Sequence, residues 1–565
     1  MKRLNLILSV VMLGVWGWVV RLYPWALYSP VRGRYAPGVD FATWYTMQNG
    51  HLPTILPSTT YTSNLVNGTT YLGEFGRVLL NAPLLLMVGK NSLMDSLTFY
   101  AQLPWQGLVL LPAALILGCH AMIKSEAQAV APRARELSYI LTSALAFLGF
   151  PSLIQSTANS GFTDYYGWVF VGLVFYALIR RASTPDSRTK FSALLVLFMA
   201  QILIYHHTSA LFLLLLILGI YLVQTRTLLR RATAEPKILK TNLVVIYAVL
   251  LTGYVTYLSF SFRGYLFSLT SAIGNLADGI LGVASPSPLA VISTTNNFTL
   301  ERALVRSADV GLIIVVFAYA GITFLRQRLT GVPGLAFAGY GLGTVIAAAF
   351  VIGWGGFGAF FVRISALSAF LTILGVTYIL RIARRSARRS LVALCIAVIL
   401  VSPLAYASSQ AAQQAALRWS EASALEWTNA YVVKNATIMS DSRVATPLIY
   451  YGFTSLLGFE DETGDRDSQE RLVQAYFDLY RPISTDQVAR GICAVEAVSG
   501  TKVRYLIYST YFQDPGTSVI GFLNSYPPGN SETTKILDNA TWLQRVFDSG
   551  TTVSYGPIDA NRPCQ

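Results

Sequence analysis

Charged residues are scarce in this chain. Only 12% of its 565 residues are Asp, Glu, Lys or Arg, while 53% are hydrophobic. A soluble chain carries about a quarter charged residues. Half that share, together with repeated long apolar runs, excludes an ordinary soluble enzyme and indicates a membrane protein. Cysteine and histidine are nearly absent as well, with four of each. No Cys-x-x-Cys and no His/Cys spacing of the structural zinc kind occurs, which excludes a zinc cluster. Cys119 and Cys395 fall in apolar runs. Cys493 and Cys564 fall in the C-terminal part, where spacing alone leaves their pairing open. The formal net charge is +14, yet residues 408–565 hold more acids than bases, so no basic groove for nucleic acid is expected there.

What the chain has instead is a series of apolar segments. A basic Met1–Arg3 precedes an apolar run over 4–20 that lacks a small-residue cleavage site, so it is expected to remain as the first span. Further spans are expected near 101–123, 137–155, 163–180, 191–206, 208–224, 242–261, 309–326, 332–353, 358–380 and 390–407, about eleven in all. Between the first two lies a long loop, roughly 23–99, in which Val78–Val88 is too short to span and reads as an interfacial or re-entrant helix. Lys and Arg gather in alternate connectors, at 124–135, 180–190, 226–240, 326–328 and 381–389, and are nearly absent from the short connectors between them. The positive-inside rule then places the N-terminus in the cytoplasm and the long first loop outside. An odd number of spans places residues beyond about 407 outside too.

The expected fold class is therefore an α-helical polytopic membrane protein with a C-terminal extracytoplasmic α/β domain. Its parts are a transmembrane domain over 1–407 and a soluble domain over 408–565. In the latter, periodicity predicts helices over 408–434, 446–451, 469–480 and 534–547 and strands over 437–440, 503–508 and 551–555. Pro527-Pro528-Gly529-Asn530 is a turn signal.

Ionisable groups near a membrane are costly and mark candidate sites. Asp40 and Glu74 fall in the long first outer loop, and Asp164, His206, His207, Glu301, Arg306 and Arg363 at or near the expected outer ends or outer halves of spans. Each has an ordinary reading: Asp40 as a solvated loop acid, Asp164 as a complement to a helix N-terminus, the histidine pair as interfacial hydrogen-bonding groups, Glu301 and Arg306 as a mutual pair. Arg363 lies inside an apolar run and needs an anionic partner, and a phosphate or carboxylate suits its planar fork. Tyr23, Trp25, Trp44 and Tyr45 read as interface anchors.

A first span, a long first outer loop with an early acid, many further spans and a C-terminal α/β domain resemble the GT-C superfamily. These are membrane glycosyltransferases that use polyprenyl-phosphate-linked sugars, among them protein mannosyltransferases and oligosaccharyltransferases. Asp40 resembles the family's first-loop acid. Asp164, in Ser160-Gly-Phe-Thr-Asp-Tyr, resembles the second-loop acidic element of the oligosaccharyltransferase branch, and Arg363 resembles a late arginine that contacts donor phosphate. Tyr205-His-His-Thr-Ser-Ala, Ile438-Met-Ser-Asp-Ser-Arg-Val-Ala and Arg545-Val-Phe-Asp-Ser-Gly-Thr-Thr-Val-Ser-Tyr are similar to segments of archaeal GT-C-like chains. Two departures stand out: the first loop has no acidic doublet, and the C-terminal part has no Trp-Trp-Asp motif, which argues against a true oligosaccharyltransferase.

The resemblance implies a hexosyltransferase of the plasma membrane acting on the outer face. Its donor would be a polyprenyl-phosphate-linked sugar and its acceptor a glycan, lipid or protein, with membrane lipid around it. Asp40 would be the catalytic base, Arg363, His206 and His207 the donor-phosphate contacts, and Asp164, Glu74 and Arg306 supporting residues. A divalent cation, Mg or Mn, would take Asp40 and Asp164 as ligands. Two other classes compete with this reading: a GT-C-like surface or assembly protein without catalysis, and a transporter or flippase of lipid-linked sugar.

Overall fold

The computed structural model describes residues 30–33, 37–53, 75–93, 163–230, 238–257, 311–316, 331–353, 375–380, 385–401, 416–457, 466–513, 529–559 and 562–564, with a few single positions and two short strands besides. It opens with a strand, β1 (Pro30–Gly33), and two helices of the first loop, α1 (Pro37–Asn49) and α2 (Phe75–Met87). A bundle follows: α3 (Thr163–Ser183), α4 (Arg188–Tyr205), α5 (His207–Arg230), α6 (Thr241–Tyr257), α7 (Gly331–Gly353) and α8 (Arg385–Val401). These coincide with six of the expected spans to within a few residues. Among the described residues one helix, α4, is long and apolar enough to cross a membrane, and shorter apolar stretches run through α5, α6 and α7. The expected spans at 101–123 and 137–155 lie outside the described residues, and those at 309–326 and 358–380 are described only in part.

The bundle is held by close backbone contact. A Cβ on Gly219 of α5 would lie 2.3 Å from the Gly339 carbonyl oxygen of α7, and one on Gly343 would lie 2.6 Å from the Cα of Leu216. Because Leu216 meets Gly343 while Ile220 meets Gly339, the two helices run antiparallel. Small residues at such a crossing let backbones approach, which matters most where lipid removes the hydrophobic drive for association. Gly219→Ala is expected to destabilise the bundle by about 1–3 kcal/mol through overpacking, seen as a lower unfolding temperature of the detergent-solubilised chain.

At the end of the bundle where α3 gives way to α4, basic residues collect: Arg180, Arg181, Arg188 and Lys190. Arg181 is buried and ties three segments together. Its Nε donates to Ser192 Oγ at 2.8 Å and its Nη1 to the Ile238 carbonyl at 3.0 Å. Gln224 adds a two-way clasp to Leu239, donating from Nε2 to its carbonyl at 2.8 Å and accepting its N–H on Oε1 at 2.9 Å. Buried backbone groups of the α5–α6 connector are thus satisfied by side chains, as burial requires.

The C-terminal unit begins with β2 (Ala416–Arg418), α9 (Trp419–Tyr431), β3 (Thr437–Ser440), α10 (Ser442–Tyr450) and β4 (Thr454–Leu457). Next come α11 (Arg466–Tyr480), α12 (Thr485–Ser499), β5 (Tyr505–Ser509), the short β6 (Val519–Ile520) and β7 (Ser525–Tyr526), α13 (Thr533–Asp538), β8 (Arg545–Asp548) and β9 (Thr552–Tyr555). Five strands form one mixed sheet in the order β4-β3-β5-β9-β8, with β4 and β5 parallel to β3 and β9 antiparallel to its neighbours. Side chains alternate across it. Met439, Leu506, Tyr508, Val553 and Tyr555 join the core beneath α11, α12 and α13. Ile438 and Ile507 face the other way, toward α9 and α10.

Several elements differ from expectation. The helix expected over 534–547 ends at Asp538, and Arg545–Asp548 is instead an edge strand on β9. Helix α12 was unforeseen; Ser484 accepts the Gln487 N–H at its start, and Gly500, at φ 65°, closes it in the left-handed conformation. Pro447 sits inside α10, not in its first turn. Of the segment 408–434, residues 416–418 are strand, and the expected 407/408 boundary lies outside the described residues. Cys493 and Cys564, left open by the sequence, form a disulfide with Cα atoms 5.8 Å apart.

Two contacts join the first loop to the C-terminal unit. β1 pairs antiparallel with β2, Gly33 opposite Ala416. Phe41 of α1 is buried in the same cluster as Leu417, Ala422, Leu425, Val444 and Leu448, with Trp44 and Tyr45 packed against it. Trp44 and Tyr45, expected as anchors in the membrane interface, therefore pack against protein: their rings lie 5.5 and 6.1 Å from that of Phe41. The helix that carries Asp40 is in this way fixed to the α9–α10 side of the sheet.

Candidate active site at the junction of α4 and α5

Three of the sequence-selected residues belong to described helices. Asp40 lies in the first turn of α1, Asp164 in the first turn of α3, and His207 opens α5; their side chains are outside the described set. Glu74, Arg306 and Arg363 lie outside the described residues. His206 is fully described. It ends α4 and precedes α5 in an extended conformation, so the helix breaks at this one residue.

The restart of the helix has a clear local cause. A helix N-terminus leaves N–H groups without partners, and a side-chain acceptor at the preceding residue satisfies one of them. Here His206 plays that part. Its Nδ1 accepts the Ser209 backbone N–H at 3.3 Å and lies 2.7 Å from Ser209 Oγ. The ring is buried.

Two glycines bring other helices to this junction. A Cβ on Gly167 of α3 would lie 2.2 Å from Ser209 Oγ and 3.3 Å from His206 Nδ1, so α3 meets the pair through bare backbone. Asp164 stands three residues before Gly167, one turn toward the start of the same helix face. A Cβ on Gly76 of α2 would lie 3.0 Å from two ring carbons of Tyr205, the residue before His206. The Tyr205 ring is also 5.3 Å from that of Phe170, a further turn along α3. The first loop, the start of α3 and the α4–α5 turn thus converge, and α2 in turn packs on α1. Gln48 of α1 donates to the Asn91 carbonyl at 2.8 Å, which ties the segment following α2 back to α1.

Gly167, Ser209 and Gly76 were not selected from the sequence. Their only signal was spacing: Gly167 three residues after Asp164, and Ser209 at the third helical position after His206. Among the described residues no three His, Cys, Asp or Glu side chains gather as metal donors. At the junction His206 is the one described donor of that kind, and its Nδ1 is committed to Ser209. The described side chains therefore do not by themselves make a cation site.

The architecture has solved counterparts. An apo oligosaccharyltransferase from Archaeoglobus fulgidus superposes with a TM-score of 0.56 at 12% identity, covering 99% of this chain and 75% of that one. The Archaeoglobus fulgidus oligosaccharyltransferase AglB, solved in complex with an inhibitory peptide and a dolichol-phosphate, gives 0.55 at 14% identity, covering 91% and 70%. No protein-family model matches the chain, and no curated protein matches it in sequence. At these identities the likeness is one of fold: the chain has the fold of the archaeal oligosaccharyltransferase. The likeness runs over nearly the whole of this chain.

Proposed function

We propose that this chain is a membrane glycosyltransferase that moves a sugar from a polyprenyl-phosphate-linked donor to an acceptor on the outer face of the membrane. The observation that carries the reading is the full-length GT-C fold with the Asp40 helix wedged between α2 and the C-terminal unit. The bound dolichol-phosphate and peptide of the archaeal enzyme support a lipid-phosphate donor and a separate acceptor. The absent Trp-Trp-Asp motif favours an acceptor other than the one an oligosaccharyltransferase reads.

The chemistry follows from the residue types. An acceptor hydroxyl attacks the anomeric carbon while the Asp40 carboxylate takes its proton. The bond from that carbon to the phosphate oxygen breaks, and its electron pair leaves with the lipid phosphate. Arg363 and the histidine pair stabilise the charge that collects there. Asp164, Glu74 and Arg306 would be supporting residues, and Asp164 and Asp40 the carboxylates that a divalent cation would use.

The direct test uses the purified full-length chain in lipid vesicles, supplied with labelled polyprenyl-phosphate sugars and mixed acceptors. Release of polyprenyl phosphate that depends on acceptor supports transfer. Movement of the intact donor across the bilayer without its cleavage would establish the transporter reading instead, and neither event would leave a non-catalytic scaffold.

A further inference from the structure

We propose that the basic end of the bundle, where α3 gives way to α4, binds the phosphodiester headgroup of an anionic membrane lipid through Arg181, with Arg180 and Arg188 beside it. The site is separate from the junction of α4 and α5, which is the other end of α4.

Arg181 is the anchor. It is only 6% exposed, and a guanidinium keeps its charge at any physiological pH. Both of its hydrogen-bond partners, Ser192 Oγ and the Ile238 carbonyl, are neutral. Among the described residues no carboxylate pairs with it. A charge withdrawn from water without a counter-ion is costly. Nε and Nη1 are used in the two bonds, and Nη2 makes none among the described residues. Nη2 shares one edge of the planar fork with Nε, and Nε is aimed at Ser192, near the start of α4. The open N–H on that edge is of the kind a phosphate oxygen accepts.

Two more arginines stand at the same helix start. The Arg180 guanidinium lies 5.6 Å from the Phe191 ring of α4, and its buried Nε has no hydrogen-bond partner. Arg188 opens α4 and is exposed. Its carbonyl accepts from Ser192 Oγ at 2.8 Å, the same hydroxyl that receives Arg181 Nε. The helix end adds to the positive field: Ser187 gives α4 no side-chain cap, and its first turn holds no acid. Asp186, the acid of the α3–α4 turn, is exposed and forms no ion pair among the described residues. The counter-charge has to come from a ligand.

The surroundings identify that ligand as a lipid. Helix α4 is apolar and long enough to cross a membrane, and α6 packs beside it. Both present exposed apolar side chains, Leu197 on α4 and Val245, Ile246 and Val249 on α6. Exposed Lys240 immediately precedes α6, two residues after the Ile238 carbonyl that Arg181 holds. Acyl chains of a lipid seated at Arg181 have this apolar face to lie along, and a soluble anion gains nothing from it. Basic groups at a membrane surface attract anionic lipid in the same way.

The test uses the full-length chain in an uncharged detergent. It is titrated with dioleoyl phosphatidylglycerol or, as a control with the same acyl chains and no net charge, dioleoyl phosphatidylcholine, and bound lipid is read by native mass spectrometry. The wild-type chain is expected to retain phosphatidylglycerol under conditions that strip phosphatidylcholine. The double variant Arg180→Gln/Arg188→Gln is expected to weaken phosphatidylglycerol binding by about 10-fold or more, the value of a charge-assisted hydrogen bond, and to leave phosphatidylcholine binding unchanged. Arg188→Gln alone alters an exposed position, keeps both bonds of Arg181, and should act in the same direction. Arg389→Gln, at an exposed position of α8, should leave binding as it is. Equal retention of the two lipids by the wild-type chain overturns the proposal. So does an undiminished preference in the Arg180 and Arg188 variants, or an equal loss in Arg389→Gln, which would mean diffuse attraction to surface charge. Displacement of the lipid by inorganic phosphate at equal concentration overturns it too, since the site would then take a soluble anion.

Discussion

Asp40→Asn is expected to lower the rate of sugar transfer by about 10²- to 10⁴-fold, the usual contribution of a positioned general base. The substitution keeps size and hydrogen-bonding shape but removes the site that takes the acceptor proton. Asp40 stands one residue before Phe41, which is buried between the first loop and the α9–α10 layer. The variant should therefore fold, and donor binding should be unchanged, because the base acts on the acceptor. Single-turnover assays with saturating labelled donor separate the two steps. A slow chemical step with intact donor affinity is the expected pattern. A Phe41→Ala variant would act differently, loosening the docked helix and affecting stability along with rate.

The second large effect is on stability. Glu496→Ala is expected to cost the C-terminal unit about 3–5 kcal/mol, the range for breaking a buried ion pair from one side. Glu496 is buried on α12. It accepts the Val503 N–H at 2.7 Å, pairs with Lys502 at 3.1 Å, and forms an ion pair with the buried guanidinium of Arg562. One carboxylate thus joins α12, the connector into β5 and the C-terminal tail. The tail is also held by the Cys493–Cys564 disulfide, whose Cys493 lies one turn before Glu496 on α12. Removing the carboxylate leaves Arg562 charged in a dry site. Chemical denaturation of the full chain in detergent, followed by fluorescence of the tryptophans of the C-terminal unit, measures the loss. A Glu496→Gln variant should lose less, because the amide still accepts the Val503 N–H.

How far the residues foretold the fold depended on which force dominated locally. Long apolar runs with basic connectors announced α3 to α7, because hydropathy there is uniform and lengths are set by the membrane. Strands β3, β5 and β9 were legible from compact β-branched and aromatic runs. Helix α12 was not. Its Gly491 interrupts the apolar pattern, and the reason is tertiary: a Cβ there would meet the Leu479 and Asp478 side chains of α11. Likewise Arg545-Val-Phe-Asp has no strong preference of its own and becomes strand by pairing with β9. The pairing of β1 with β2 joins residues nearly the whole membrane domain apart, which no local pattern encodes. Asp40, Asp164 and His206 stood out in the sequence as ionisable groups expected near membrane level. Gly167, Ser209 and Gly76, which bring α3 and α2 against the α4–α5 junction, became visible only through contact.

Surface-glycan mass spectrometry tests the central claim most directly, on cells lacking this chain and complemented with wild type or with Asp40→Asn at equal protein level. The account predicts that a sugar missing from the deletion strain returns with wild type and not with Asp40→Asn, its mass identifying the transferred residue. An unchanged glycan profile in the deletion strain, or full restoration by both proteins, would contradict it.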